Sequence, residues 1–149
     1  MKKFVSNGPE ESKKFAQDFA KEVLAENGAL VLALIGDLGS GKTAFAQAFA
    51  EALGVKEKTK SPTFIIFRKS KMADKEWNKK GFESFYHFDV YRIHSEKEIL
   101  NLGWEEIIKN PENIVLVEWA DKIEKILPKN CVKIMFNHLK GDKREITIS

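Results

Sequence analysis

The chain has 149 residues, with 25 Lys and Arg against 22 Asp and Glu, a formal charge of +3, 43% apolar side chains and 32% charged ones. That length suits one domain with a substantial core, and a net charge this small excludes a globally basic nucleic-acid binder. The single cysteine, Cys131, rules out an intrachain disulfide and any cysteine-based zinc site, which points to a reducing compartment, the cytoplasm.

The opening residues up to Pro9 contain no apolar core of the signal-peptide kind. The longest apolar run, residues 29–35, falls far short of the about 20 residues a membrane-crossing helix needs, so no membrane association is expected. Pro9, Glu10 and Glu11 combine a fixed φ with two anions, as the first turn of a helix favours. The spacing of Phe15, Phe19 and Val23 carries that helix to about Ala25. After Asn27-Gly28, the unbroken apolar run to Ile35 reads as a strand covered on both faces. A second helix is expected over residues 42–53, with Phe45, Phe49 and Leu53 on one face and Gly54 as its stop.

Further strands are expected at residues 63–67, 85–90, 114–117, 131–136 and 145–148, with helical patterns at 95–110 and 121–127. Gly141-Asp142 reads as a hairpin turn between the last two strands. Strands alternating with amphipathic helices predict one α/β domain over residues 1–149, a three-layer sandwich with a mixed, mainly parallel sheet and a C-terminal antiparallel hairpin. Residues 68–81 read as an inserted loop. Six basic groups crowd there (Arg68, Lys69, Lys71, Lys75, Lys79, Lys80) against Asp74 and Glu76. Such a run is either a solvated lysine-rich face or a local patch for an acidic protein surface or the phosphates of a nucleic acid, with Trp77 and Phe82 as accompanying aromatics.

The segment Gly36-Asp37-Leu38-Gly39-Ser40-Gly41-Lys42-Thr43 has the spacing Gly, four residues, Gly-Lys-Thr, between the apolar strand and the second helix. This is the pattern of a P-loop. Glycines allow a tight turn whose backbone N–H groups approach phosphate oxygens, Lys42 offers a charge to the β and γ phosphates, and the Thr43 hydroxyl can ligate Mg²⁺. ATP and Mg²⁺ are the expected ligands. Two carboxylates end apolar strands and are candidates for the magnesium shell: Asp89 after Phe85-Tyr86-His87-Phe88, and Glu118 after Ile114-Val115-Leu116-Val117. His87 and His94 lack the partners of a zinc site and read as core or surface histidines.

Taken together, the P-loop, Ser61-Pro62-Thr63-Phe64, His87-Phe88-Asp89-Val90-Tyr91-Arg92 and Val117-Glu118-Trp119 resemble the TsaE family, also called YjeE, in order and spacing. The resemblance implies a P-loop ATPase acting in tRNA threonylcarbamoyladenosine synthesis beside a TsaD–TsaB complex; with no evident arginine finger next to the P-loop, turnover is expected to be slow alone and stimulated by that partner. It further implies phosphate contacts for Lys42, magnesium ligation by Thr43 and Glu118, and assistance to hydrolysis by Asp89. Leu38, Gly39, Ser40 and Gly41 would line the nucleotide, and Ser12 and Arg144 would touch it. Ser61, Pro62 and Thr63 would form a nucleotide-sensing switch, with Tyr91, Arg92 and Trp119 near the site. Two other readings stay open: a nucleotide-dependent binding module with little turnover, and a small-molecule phosphotransferase, for which no acceptor pocket or arginine-rich lid is evident.

Overall fold

The computed structural model describes residues 2–23, 30–55 and 66–149. Within them the chain forms β1 (Lys2–Ser6), α1 (Pro9–Val23), β2 (Leu30–Gly36), α2 (Lys42–Ala52), β3 (Phe67–Lys71), α3 (Lys75–Lys79), β4 (Ser84–Asp89), α4 (Glu96–Leu100), α5 (Trp104–Lys109), β5 (Asn113–Glu118), a 3₁₀ helix (Ala120–Ile126), β6 (Val132–His138) and β7 (Arg144–Ile148). The seven strands lie in one sheet in the order β1-β7-β6-β2-β5-β4-β3. The four central strands run parallel, while β3 and β7 are antiparallel to their neighbours.

Alternation along β2 explains the three layers. Leu32 and Leu34 enter a core under α1 and α2, while Val31 and Ala33 enter a second core under α5 and the 3₁₀ helix. β5 divides the same way, with Ile114 and Leu116 on the first face and Val115 and Val117 on the second. A strand buried on both faces needs no polar alternation, which is why these segments read as continuous apolar runs. On the first face Phe15 and Phe19 of α1 meet Phe45 and Phe49 of α2, with ring centroids 6.1 to 6.4 Å apart. Phe45 and Phe49 are 1% and 0% exposed, so each contributes about 1.5–3 kcal/mol of burial.

Three expectations need correction. Residues 68–81 are not an inserted loop: they hold β3 and α3, and Met72 and Trp77 are buried. The strand expected at 63–67 lies mostly outside the described residues, and its last position, Phe67, opens β3. The helix expected over 95–110 is two short helices: α4 ends at Leu100, and Gly103, with φ 88, sits in the turn as the N-cap of α5. The helix expected over 121–127 is a 3₁₀ helix from Ala120, interrupted at Ile123 (φ −122, ψ 28). β1 was not foreseen at all; its Phe4 stacks on Phe15 at 4.4 Å, and the strand pairs antiparallel with β7.

The parallel register aligns the ends of β2, β5 and β4 along one sheet edge. Leu34 lies opposite Glu118, and Glu118 opposite Asp89. The loop after β2 leaves from the same edge. Among the described residues no helix is long and apolar enough to cross a membrane.

Candidate functional site

The loop between β2 and α2 is shaped by its glycines for two different reasons. A Cβ on Gly36 would lie 2.7 Å from both the Phe136 carbonyl oxygen and Ser40 Oγ, so close packing requires the absence of a side chain there. Gly39 and Gly41 have φ values of 77 and 102, the left-handed region that other residues rarely enter. A Cβ at either would meet nothing within 4 Å, so the loop is open on that side. Leu38 projects from its tip, 84% exposed. The loop closes on itself through Ser40 N donating to the Asp37 carbonyl at 3.1 Å, and α2 begins directly behind it. The leading N–H groups of that helix add partial positive charge at the same place.

Lys42 opens α2 and folds back over the loop. Its Nζ donates to the Gly36 carbonyl, to the Asp37 carbonyl at 2.8 Å and to Ser40 Oγ at 3.4 Å. It also lies 4.0 Å from the centre of the Trp119 ring. Burial draws the ammonium pKa below the ordinary lysine value, and the nearby carboxylates of Glu118, Asp37, Asp121 and Asp89 partly oppose this. Trp119 has φ 60, an uncommon conformation for a bulky side chain, and this turn presents its ring to Lys42. Tyr91 packs on the same indole, with centroids 4.7 Å apart, and Lys122 lies 4.7 Å from the Tyr91 ring centre while donating to the Tyr91 carbonyl.

Beside the lysine is a buried acid. Thr43 Oγ1 donates to Glu118 Oε1 at 2.8 Å, and His87 Nε2 lies 2.6 Å from Glu118 Oε2. Glu118 and His87 are each 1% exposed. Burial is the largest single influence on the Glu118 carboxyl and raises its pKa. The hydrogen bond and charge of His87, the Thr43 hydroxyl and the Lys42 charge outweigh it together, holding the group below the usual glutamate value. Asp89 sits one strand over, partly exposed, its Oδ1 accepting from Tyr91 N at 3.1 Å.

Thr43 and Glu118 thus juxtapose one hydroxyl and one carboxylate, hard oxygen donors of the kind Mg²⁺ takes when waters and phosphates complete its shell. The residues fit the cation. Among the described residues no group of three or more His, Cys, Asp or Glu could hold a metal by itself, so protein alone does not form a closed cage here.

The remaining expected site residues divide. Arg144 reaches the loop, donating from Nη2 to the Gly39 carbonyl at 3.3 Å and from Nη1 to the carbonyls of Gly141 and Lys143. Ser12 is tied to the same end of the sheet: its Oγ donates to Ser6 Oγ at 2.7 Å, and Ser6 is the register partner of Arg144. Arg92 is exposed. Ser61, Pro62 and Thr63 lie outside the described residues. His87, read from sequence as a core or surface histidine, is indeed buried, yet it is bonded to the central carboxylate of the site.

The comparisons with known proteins agree with one another. The family model described as "Threonylcarbamoyl adenosine biosynthesis protein TsaE" matches residues 6–146. The tRNA threonylcarbamoyladenosine biosynthesis protein TsaE of Bacillus subtilis is 42% identical over 95% of this chain and 80% of its own length. Its counterpart from Rickettsia bellii is 33% identical over 97% of this chain and 92% of its own. The crystal structure of Bacillus subtilis YdiB superposes with a TM-score of 0.73 at 34% identity, covering 99% of this chain and 83% of that one.

Proposed function

The chain belongs to the TsaE family, and on that premise we propose that it binds and hydrolyses Mg-ATP in the cytoplasm in support of threonylcarbamoyladenosine modification of tRNA, together with a TsaD–TsaB complex. The observation that carries the reading is the meeting of the glycine loop, Lys42 and the Thr43–Glu118 pair at the amino end of α2.

The open side of Gly39 and Gly41, with Leu38 and Ser40 between and beside them, receives the phosphates against backbone N–H groups. Lys42 exchanges the carbonyls of Gly36 and Asp37 for phosphate oxygens, a trade of neutral acceptors for charged ones. Thr43 and Glu118 would hold Mg²⁺, which when bound neutralises charge on the β and γ phosphates. Asp89, at the end of the strand beside Glu118, orients the attacking water and takes its proton. Ser12 and Arg144 flank the nucleotide from the β1–β7 side, and Ser61, Pro62 and Thr63 respond to it.

Arg92 lies on the surface and Arg144 is engaged with carbonyls, which supports slow turnover in the isolated protein and charge stabilisation from a partner, an effect worth roughly 10³–10⁵ in rate in related chemistry. A transient tRNA contact at residues 68–81 rests on exposed lysines alone, because Trp77 and Phe82 are buried. The test is phosphate release from Mg-ATP, measured with and without a TsaD–TsaB complex. Acceleration by the complex is expected. Nucleotide binding without phosphate release in either arm overturns the ATPase reading in favour of a binding module, and transfer of labelled phosphate to a small acceptor overturns it in favour of a phosphotransferase.

A further inference from the structure

His87 takes no part in the steps above, yet its Nε2 lies 2.6 Å from a carboxylate oxygen of the acid at their centre. It stands on β4 opposite Leu116 of β5, and Glu118 lies two residues beyond Leu116. With a side-chain period of two, His87, Leu116 and Glu118 therefore share a face, and Leu116 belongs to the core under α2. Thr43 comes from α2 on that side and meets the other carboxylate oxygen. The Glu118 carboxylate is thus held from two elements at once, by a helix through Oε1 and by a neighbouring strand through Oε2.

The side chains of His87 and Glu118 are 2% and 1% exposed, so little solvent competes for Oε2. A carboxylate only accepts, so Nε2 is the donor in this bond. Deprived of it, a buried carboxylate either turns toward another donor or loses its charge.

We propose that His87 is a positioning residue for the magnesium–nucleotide site: its bond from Nε2 to Glu118 Oε2, 2.6 Å long, keeps Oε1 turned toward Thr43. At 2% exposure the imidazole acts through Glu118 and not by touching nucleotide. This rests on the Mg-ATP reading, and it adds that the cation's affinity is set partly from β4. Groups behind a metal-binding carboxylate commonly change metal affinity by about 10- to 100-fold when removed.

The experiment uses the full chain and a fluorescent ATP analogue, titrated in EDTA and then across a Mg²⁺ series, with wild type, His87→Leu, His87→Gln and His87→Asn. The Gln amide nitrogen can donate near the place of Nε2, whereas Asn is too short to reach it. Expected is unchanged binding in EDTA for all four, a Mg²⁺ requirement raised about 10- to 100-fold in Leu and Asn, and recovery toward wild type in Gln. Equal Mg²⁺ titrations for all variants overturn the proposal. Weakening that is the same in EDTA and in Mg²⁺, or that follows the melting temperature and not the amide length, overturns it too by reducing His87 to packing. If the Leu variant fails to fold, the Gln and Asn pair decides: equal Mg²⁺ titrations in those two count against the proposal. A wild-type chain that binds no nucleotide overturns the Mg-ATP reading itself, an outcome distinct from the others.

Discussion

Asp89 and Glu118 are register partners at the ends of adjacent parallel strands, yet they occupy opposite environments. Glu118 is buried between Thr43 and His87, whereas Asp89 is partly exposed and its Oδ1 accepts from the backbone of Tyr91. On the Mg-ATP reading, neighbouring carboxylates held so differently suit different tasks, Glu118 toward the cation and Asp89 toward the attacking water.

Replacing each acid separates those tasks. Glu118→Ala strips Thr43 and His87 of their acceptor, so it should lower unfolding stability by about 1–3 kcal/mol and abolish the Mg²⁺ dependence of nucleotide binding. On the Mg-ATP reading, Asp89→Ala should bind Mg-ATP normally while losing turnover, the pattern of a group whose contribution arises mainly in the transition state. Thermal melts with single-turnover phosphate release measure both. Identical profiles for the two variants would contradict the division.

Acid should unfold the protein partly through Glu118. Its carboxyl is held below the usual value in the fold, against about 4.3 in an unfolded chain. The native state therefore binds the proton less readily than the unfolded one, and the stabilisation is fully present above the unfolded value. It is lost as the pH falls from there through the lower, folded value. Denaturant midpoints from pH 7 down to 3 should fall more steeply in wild type than in Glu118→Gln; parallel curves would show that this group does not contribute.

Lys42→Ala should weaken Mg-ATP binding by roughly 10- to 100-fold, the equivalent of about 1.5–3 kcal/mol for a hydrogen bond to a charged group. Its bonds in the fold go to carbonyls of its own loop and to Ser40, so the fold itself should persist. Calorimetric titration of the folded variant decides the point, and unchanged affinity would remove the lysine from the site.

Trp119 should report on that lysine. Its indole carries Lys42 at 4.0 Å and Tyr91 at 4.7 Å, whereas Trp77 and Trp104 are buried and bonded to the carbonyls of Ala52 and Ile126. Nucleotide that draws Lys42 from the ring should change the tryptophan emission of wild type and leave that of Trp119→Phe unaltered. A signal that persists in the variant would place the change at another indole.

The glycine loop was legible in the sequence because its chemistry is local: spacing, a preceding apolar strand and a following helix lie within one stretch of chain. Glu118 and Asp89 were legible as strand ends for the same reason. His87 was not, since its partnership depends on the register between β4 and β5, and a histidine within an apolar strand resembles any core polar residue. Trp119 was placed beside the site through the family resemblance, but its positive φ and its hold on Lys42 have no local sequence signal. β3 was obscured by composition: of Phe67-Arg68-Lys69-Ser70-Lys71 only Ser70 is buried, as suits an edge strand whose lysines discourage pairing with another chain.

That corrected segment yields the last prediction. The sequence of residues 68–81 reads as a lysine-rich loop, but Trp77 is 6% exposed and its Nε1 donates to the Ala52 carbonyl at the end of α2 at 3.0 Å. Asp74 caps α3 by accepting from Glu76 N, and Asn78 Nδ2 donates to the carbonyls of Met72 and Phe82, closing the turn around the indole. Gly54 allows the approach from the α2 side, since a Cβ there would lie 2.8 Å from Asp74 Cβ. The segment is therefore part of the first core, and Trp77→Ala should cost about 3–5 kcal/mol, as deletion of a large buried aromatic does. Lys79→Gln, on the exposed side of the same helix, should change stability by no more than about 0.5 kcal/mol. Urea midpoints for the two variants provide the comparison. A Trp77→Ala protein that unfolds with wild type would mean that these residues only lie on the surface, as their composition suggests, and that α2 ends without their support.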